Sequence, residues 1–233
     1  MKNSYSIVIP AYNEEKRIGG TLESYFRHFK KSGMKFEIIV VCDGSDTTAS
    51  IVKNFMKLRK GVRLIEFGRR LGKGRAVMEG LKHAAGDVVG FTDADGSVGP
   101  DNFLSMMEIC RKSVDCIVIG SRNMEKSFVT KKQPAYRQLL SNVFSHYVNM
   151  LFGLGITDTQ CGAKVMTRKM LSCLDGMKSA GFEFDAEMLW RIKKIGGKII
   201  EFPVKWSHNE FSTFRVKTGP RMALKLMSIR LMG

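Results

Sequence analysis

Short apolar runs alternate with longer amphipathic stretches along the first half of the chain. Ser6-Ile7-Val8-Ile9 reads as a strand and is followed by a polar turn and a helical pattern from about Glu15 to Lys31. Residues 36–41 (FEIIVV) are nearly all apolar, as a strand covered on both faces should be. The turn Asp43-Gly44-Ser45-Asp46 leads to a helix over about Thr48 to Leu58, and Arg63 to Phe67 gives a third strand. A glycine-broken stretch precedes a helix near Ala76 to Ala85, with further strands at Val88–Thr92 and Cys116–Gly120. This rhythm predicts an α/β fold with an open, twisted, mostly parallel sheet flanked by helices. Such sheets bind ligands beyond the carboxyl ends of their strands, here Pro10–Glu14, Cys42–Asp46 and Asp93–Ser97.

After about residue 120 the rhythm changes. Tyr136 to Leu151 reads as an amphipathic helix with Leu139, Leu140, Val143, Phe144, Tyr147 and Val148 on its apolar side. A helix over Asp185–Lys194 and a strand over Lys198–Trp206 follow, Pro203 marking an edge or a bulge. The chain divides into a main domain, 1–210, and a segment, 211–233, read as an amphipathic C-terminal helix starting near Pro220. Two settings suit that segment equally: the membrane interface, or packing on its own domain or on a partner subunit.

Composition narrows the classes. With 44% hydrophobic and 26% charged residues in 233, the chain is a folded domain and not a disordered one. Its net charge of +16 favours anionic partners: nucleic acid, anionic lipid or phosphorylated substrates. Five cysteines without a CxxC pattern exclude a disulfide framework and a zinc ribbon, and point to reduced thiols in a cytosolic setting. The four histidines lack metal-ligand spacing. No signal peptide is visible, and no run approaches the roughly 20 apolar residues of a membrane span.

The candidate chemistry sits at strand ends. Asp93 and Asp95, two apart beyond a buried strand, face the same side and suit a hard divalent cation such as Mg²⁺ or Mn²⁺. Asp43 suits a base N–H or a ribose hydroxyl; its other reading is helix capping, which Ser45, Asp46 or Thr47 could equally supply. Gly72-Lys73-Gly74 is a phosphate-approach loop or a flexible turn, and Lys73 is taken as a donor contact.

The ordered motifs SIVIPAYNEEKRI, EIIVVCDGSD, GKGRAVMEGLKHAAGD, FTDADGS, IGSR and DTQCGAK, followed by FDAEMLW and FPVKW, span about nine-tenths of the chain. Together they resemble the family-2 glycosyltransferases of GT-A (Rossmann-like) fold, and among them the dolichyl-phosphate glucose and mannose synthases. The resemblance implies that Pro10, Ala11, Tyr12, Glu14 and Asp43 line the base and ribose pocket. Asp93 and Asp95 would hold the donor diphosphate and its metal, and Arg122 would neutralise phosphate. Arg137 and Ser141 would meet the acceptor phosphate, and Asp158, Thr159 and Gln160, with Asp185 and Glu187, would form the sugar and acceptor loops. Cys42 stands where the family usually has an aspartate, and Ser97 where the mannose synthases often have a glutamine. DADGS, GKGxAV and DTQCGxK lean to the glucose branch.

The activity implied is inverting transfer of a hexose, from UDP-glucose or next from GDP-mannose, to a polyprenyl or dolichyl phosphate by a peripheral enzyme on the cytoplasmic face of a membrane. A phosphate acceptor already carries about −1.5 to −2 charges and needs no protein base. Lys126, Lys131, Lys132 and Arg137 around the acceptor helix fit an anionic lipid surface, or are a solvated basic loop. The runner-up is a relative acting on a glycan or other hydroxyl, with Asp158, Asp185 or Glu187 as base. A nucleic-acid-binding module ranks last, since no such signature accompanies the charge.

Overall fold

A computed structural model describes residues 4–131, 135–207 and 219–232. Alternating strands and helices run β1 (Ser4–Ala11), α1 (Ile18–Lys31), β2 (Lys35–Cys42), α2 (Thr48–Leu58), β3 (Val62–Glu66), α3 (Lys73–Lys82) and β4 (Val88–Phe91). Next come α4 (Pro100–Lys112), β5 (Cys116–Ser121), β6 (Phe128–Lys131), α5 (Ala135–Phe152), β7 (Lys164–Thr167) and a 3₁₀ turn over Arg168–Leu174. The described chain ends with α6 (Phe184–Lys194), β8 (Lys198–Pro203), β9 (Lys205–Ser207) and α7 (Gly219–Met232).

Seven strands form one sheet in the order β3-β2-β1-β4-β7-β5-β8. All neighbours are parallel except β7, which runs antiparallel between β4 and β5. The parallel strands are apolar at consecutive positions because each face is covered. Ile7, Ile9, Ile38 and Val40 enter the core under α1, α2 and α4, while Val8, Ile39 and Val41 enter the one shared with α3 and α6. Ala11 pairs with Cys42, so Tyr12 and Asp43 leave the sheet side by side.

Helix α4 and strands β6 and β7 escaped the sequence reading. Helix α4 announces itself with Pro100 in its first turn and buries Phe103, Met106, Met107 and Cys110 at helical spacing. Strand β7 is only four residues long and opens on a lysine. The run Lys198–Trp206 is two strands, not one: β8 is the sheet edge with Pro203 at its end, and β9 pairs with β6 in a separate ribbon. All five cysteines are free thiols.

The C-terminal helix is present, with apolar residues on more than one side. Met222, Leu226 and Ile229 are buried against the domain, whereas Leu224, Met227 and Leu231 are exposed. Tyr147 donates to Ala223 O at 2.9 Å, tying α7 to α5. On α5 the apolar side also divides: Val148 is buried, and Tyr136, Leu139, Leu140, Val143 and Met150 are exposed. The proposed boundary at 210/211 falls outside the described residues. Among the described residues no helix is long and apolar enough to cross a membrane.

Glu37 fastens the rear of the sheet. It accepts from Ser6 Oγ (2.7 Å), Ala85 N (2.6 Å) and Arg63 Nη1 (3.1 Å). Burial pushes this carboxyl up, but the hydrogen bonds and the Arg63 charge outweigh it and hold it below its usual range. A depressed folded-state value means stability that is full above the ordinary carboxylate range and lost as pH falls through it. Glu37→Gln should therefore flatten the decline of melting temperature below about pH 4, measured by thermal melts from neutral to acid pH.

Candidate active site

The carboxyl ends of β1, β2 and β4 converge on a cleft of about 250 Å³ lined by Tyr12, Glu14, Asp43, Lys73, Asp93 and Asp95. Pro10 and Ala11, the last residues of β1, form its floor. The chain reverses at Asn13, whose φ of 55° is left-handed, and Asn13 Oδ1 accepts from Ser45 N at 2.9 Å. A β-carbon at Gly44 would strike Asn13, so the two turns can nest only with glycine there. Asp46 Oδ1 accepts from Thr48 N at the start of α2, which frees Asp43 from a capping role. Asp43 Oδ2 instead accepts from Leu71 N (2.7 Å) and Gly72 N (3.1 Å), drawing the glycine-rich segment over the cleft.

Three lining residues were not singled out from the sequence. Arg17 binds both Glu14 oxygens at 2.6 Å, Arg70 stacks 4.0 Å from the Tyr12 ring centroid, and Phe182 also lines the cleft. Arg17 lies three residues after Glu14, in the turn that leads into α1, where Arg17 N donates to Glu14 O at 2.9 Å. Nothing local marks Arg70 or Phe182. Burial, set against the Arg17 interaction, raises the Glu14 carboxyl above its ordinary value, and Asp95 and Asp93 add to the rise.

The loop after β4 is held rigidly. Thr21 Oγ1 donates to Ala94 O at 2.8 Å and the buried Tyr25 hydroxyl donates to Val98 O at 2.8 Å. Lys73 Nζ lies 2.8 Å from Asp93 Oδ1, and Asp95 Oδ1 accepts from Ser97 N at 2.9 Å. Burial pushes Asp93 up, but Lys73, with Lys164 and Arg122 behind it, overcomes that and keeps this carboxyl low. Asp95 is pushed the other way, by burial and by the Asp93 charge. Gly162, in the DTQCGAK stretch, packs directly on Asp93, and a β-carbon there would overlap Asp93 Oδ2. Gly162→Ala should displace that carboxylate while leaving the core intact. A displacement of about 1 Å is expected to cost roughly 10²-fold in turnover, measured as kcat in parallel with an unchanged melting temperature.

These carboxylates fit Mg²⁺ or Mn²⁺. Such cations take one or two carboxylates and complete their shell with water and phosphate oxygens. Among the described residues no cluster of three or more His, Cys, Asp and Glu exists to enclose a metal by protein ligands alone. The donor set is thus suited to a cation shared with a diphosphate.

Beside the cleft, Arg122, Ser141 and Asp158 come together. Asp158 is wholly buried and accepts five N–H groups: Arg122 N, Nε and Nη2, Gln160 N and Cys161 N, at 2.7–3.1 Å. Burial raises its carboxyl, yet the Arg122 charge and hydrogen bonds prevail and leave it below the usual range. Arg122 Nη2 reaches Ser141 Oγ at 3.4 Å, and its guanidinium lies 5.4 Å from the Trp206 ring centroid. The Arg137 backbone lies on α5 one turn before Ser141, but its side chain, like Lys132, is outside the described residues. Thr159 is buried against Ser145 (3.1 Å), and Gln160 is half-buried with Nε2 unpaired.

Asp185 and Glu187 sit deeper than acceptor-loop residues would. Asp185 is ion-paired with the fully buried Lys164 at 2.7 Å, and that lysine also donates to Cys161 O at 2.7 Å. Glu187 accepts from Ser179 N (2.8 Å), Lys178 N (3.0 Å) and Arg191 Nε (3.0 Å). It thereby fixes the segment whose Ala180 carbonyl accepts from Gly74 N at 2.9 Å. These two carboxylates brace the walls, and neither stands free.

A mostly parallel sheet with an acidic pair beyond its fourth strand, a cleft over the first two and an inserted antiparallel strand is the GT-A fold of glycosyltransferases. The chain belongs to glycosyl transferase family 2, which it matches over residues 6–175. It is 33% identical to the dolichyl-phosphate beta-glucosyltransferase ALG5A of Trichomonas vaginalis, over 97% of this chain and 72% of that protein. The dolichyl-phosphate beta-glucosyltransferase of Saccharomyces cerevisiae is 32% identical over 97% of this chain and 71% of its own length. In fold it is similar to glucosyl-3-phosphoglycerate synthase from Mycobacterium tuberculosis, solved with Mn²⁺, uridine diphosphate and glucosyl-3-phosphoglycerate. That likeness has a TM-score of 0.70 at 19% identity and covers 99% of this chain and 79% of that one.

Proposed function

We propose that this glycosyltransferase moves glucose from UDP-glucose to a dolichyl or other polyprenyl phosphate, with inversion, as a peripheral enzyme on the cytoplasmic face of a membrane. The observation that carries the reading is the state of the carboxylates on the acceptor side. Asp158, Asp185 and Glu187 are each buried and already bound to Arg122, Lys164 and Arg191. None is available as the base that a hydroxyl acceptor requires. An acceptor that brings its own charged oxygen needs none, and the Arg122 guanidinium with Ser141 supplies donors for a phosphate.

Glucose and dolichyl phosphate are the substrates in the names of the relatives, and uridine diphosphate and Mn²⁺ occupy the structural neighbour. Asp43 and Tyr12 would take the base and ribose, and Lys73, Asp93 and Asp95 the diphosphate. A divalent cation there supplies neutralisation of the departing diphosphate. Lys73 shares that charge, Arg122 orients the incoming phosphate, and displacement in line inverts the sugar carbon. For the membrane, the support is the apolar surface of α5 and α7: Tyr136, Leu139, Leu140, Val143 and Met150 on one helix, Leu224, Met227 and Leu231 on the other. With Arg221 and Arg230 beside it and a net charge of +16, this surface suits an anionic bilayer.

The test is to incubate the protein with Mg²⁺, dolichyl phosphate and radiolabelled UDP-glucose or GDP-mannose in separate reactions. Label passing from UDP-glucose into the organic phase, and lost with chelator, is the expected result. Nucleotide binding without transfer from either donor would overturn the phosphate acceptor and favour the relative acting on a hydroxyl.

A further inference from the structure

We propose that Lys73 is a built-in rival of the metal: its ammonium holds Asp93, and a divalent cation and a nucleoside diphosphate must enter together to displace it. The inference rests on the reading of Asp93 and Asp95 as metal carboxylates and adds an order of events that this reading does not contain.

Lys73 Nζ is 2.8 Å from Asp93 Oδ1, with its side chain only 14% exposed and that of Asp93 33% exposed. The backbone beneath it is pinned. Gly72 has a φ of 86° and donates to Asp43 Oδ2, and a β-carbon on it would meet Ala180 O at 2.8 Å. Gly74 donates to the same carbonyl and packs so closely on Phe184 that a β-carbon would overlap it, at 2.6 Å. Only side-chain torsions can therefore carry the ammonium away from Asp93. Nζ lies 5.8 Å from the Phe182 ring centroid, and both side chains line the cleft.

A Mg²⁺ or Mn²⁺ bonded to Asp93 sits about 2.0–2.1 Å from a carboxylate oxygen. Gly162 lies on the Oδ2 side and Lys73 holds Oδ1, so a cation bonded to Asp93 through Oδ1 contests that oxygen with the ammonium. Two cations cannot share that oxygen without strong repulsion, and the displaced ammonium needs a new anion. A diphosphate provides one, since its oxygens complete the metal's shell and accept from Lys73 at once. Metal alone should bind weakly, and metal with diphosphate strongly. Removing the lysine charge should reverse the balance.

The experiment is a titration of the whole protein with Mn²⁺, reading free Mn²⁺ by electron paramagnetic resonance with and without uridine diphosphate. A neighbouring cation shifts a carboxylate's cation affinity by about 10- to 1000-fold. Wild type should therefore bind Mn²⁺ at least about tenfold more tightly with the nucleotide present. Lys73→Met should bind Mn²⁺ alone about tenfold more tightly than wild type does, so that the gap between its two titrations narrows by that factor. Lys73→Arg, which keeps the charge, should behave as wild type. Mn²⁺ binding with the nucleotide but no tightening in Lys73→Met overturns this inference and leaves the metal reading standing. No Mn²⁺ binding to wild type even with the nucleotide overturns both. If Lys73→Met does not fold, Lys73→Gln takes its place in the same pair of titrations, and equal Mn²⁺ affinity of wild type with and without the nucleotide also excludes the rivalry.

Discussion

Asp93→Asn should lower turnover by about 10²- to 10³-fold, the usual cost of removing one preorganised electrostatic group from an active site. The substitution keeps the shape of the side chain and its fit against Gly162, but removes the charge that balances Lys73. It also takes away one of only two carboxylates placed for a cation beyond β4. Because the side chain is one-third exposed into the cleft, the fold should survive, with the melting temperature little changed. The loss should appear in kcat more than in KM for the nucleotide-sugar, since Tyr12 and Asp43, proposed to hold the base and ribose, remain in place. Steady-state transfer assays on the variant decide the matter, and a rate within about tenfold of wild type would remove Asp93 from the chemistry.

Asp158→Ala should act mainly on stability. The side chain is 0% exposed and accepts five N–H groups, three of them from Arg122, whose own side chain is 12% exposed. Removing one partner of a buried ion pair strands the other charge, at about 3–5 kcal/mol. For a chain of this size that is a fall in melting temperature of roughly 6–20 °C, at about 2–4 °C per kcal/mol. Scanning calorimetry measures it directly. The result also separates the two acceptor classes. Were Asp158 a base for a hydroxyl, Asp158→Asn would keep its melting temperature and lose activity with a change in pH profile. As the anchor of Arg122, it should instead lose stability in either substitution, with the larger loss for alanine.

Local pattern and tertiary context contributed different things. The strands β1 to β5 were legible because consecutive apolar residues between turn residues have few other uses, and the position of Asp43, Asp93 and Asp95 at strand ends followed from the topology rule for open sheets. The sequence reading named Lys73 on the donor side and, by resemblance, Arg122 and Ser141 on the acceptor side; the structure puts Lys73 on Asp93 and Arg122 within reach of Ser141.

What stayed hidden needed partners distant in sequence. Strand β7 opens on Lys164, a residue that local reasoning puts on the surface; it is buried because Asp185, some twenty positions later, neutralises it. Asp158, Asp185 and Glu187 look alike in sequence as candidate bases, and only the cations packed on each show that all three are engaged. Arg70 and Phe182 reach the cleft from loops whose course is fixed by Asp43 and Glu187. The sequence by itself determined the layered sheet and which strand ends bear acid, because periodicity and turn chemistry act over a few residues. Only the tertiary structure decided which of those acids face a ligand and which brace the fold, because the charge state and accessibility of a buried group depend on whatever the rest of the chain packs against it.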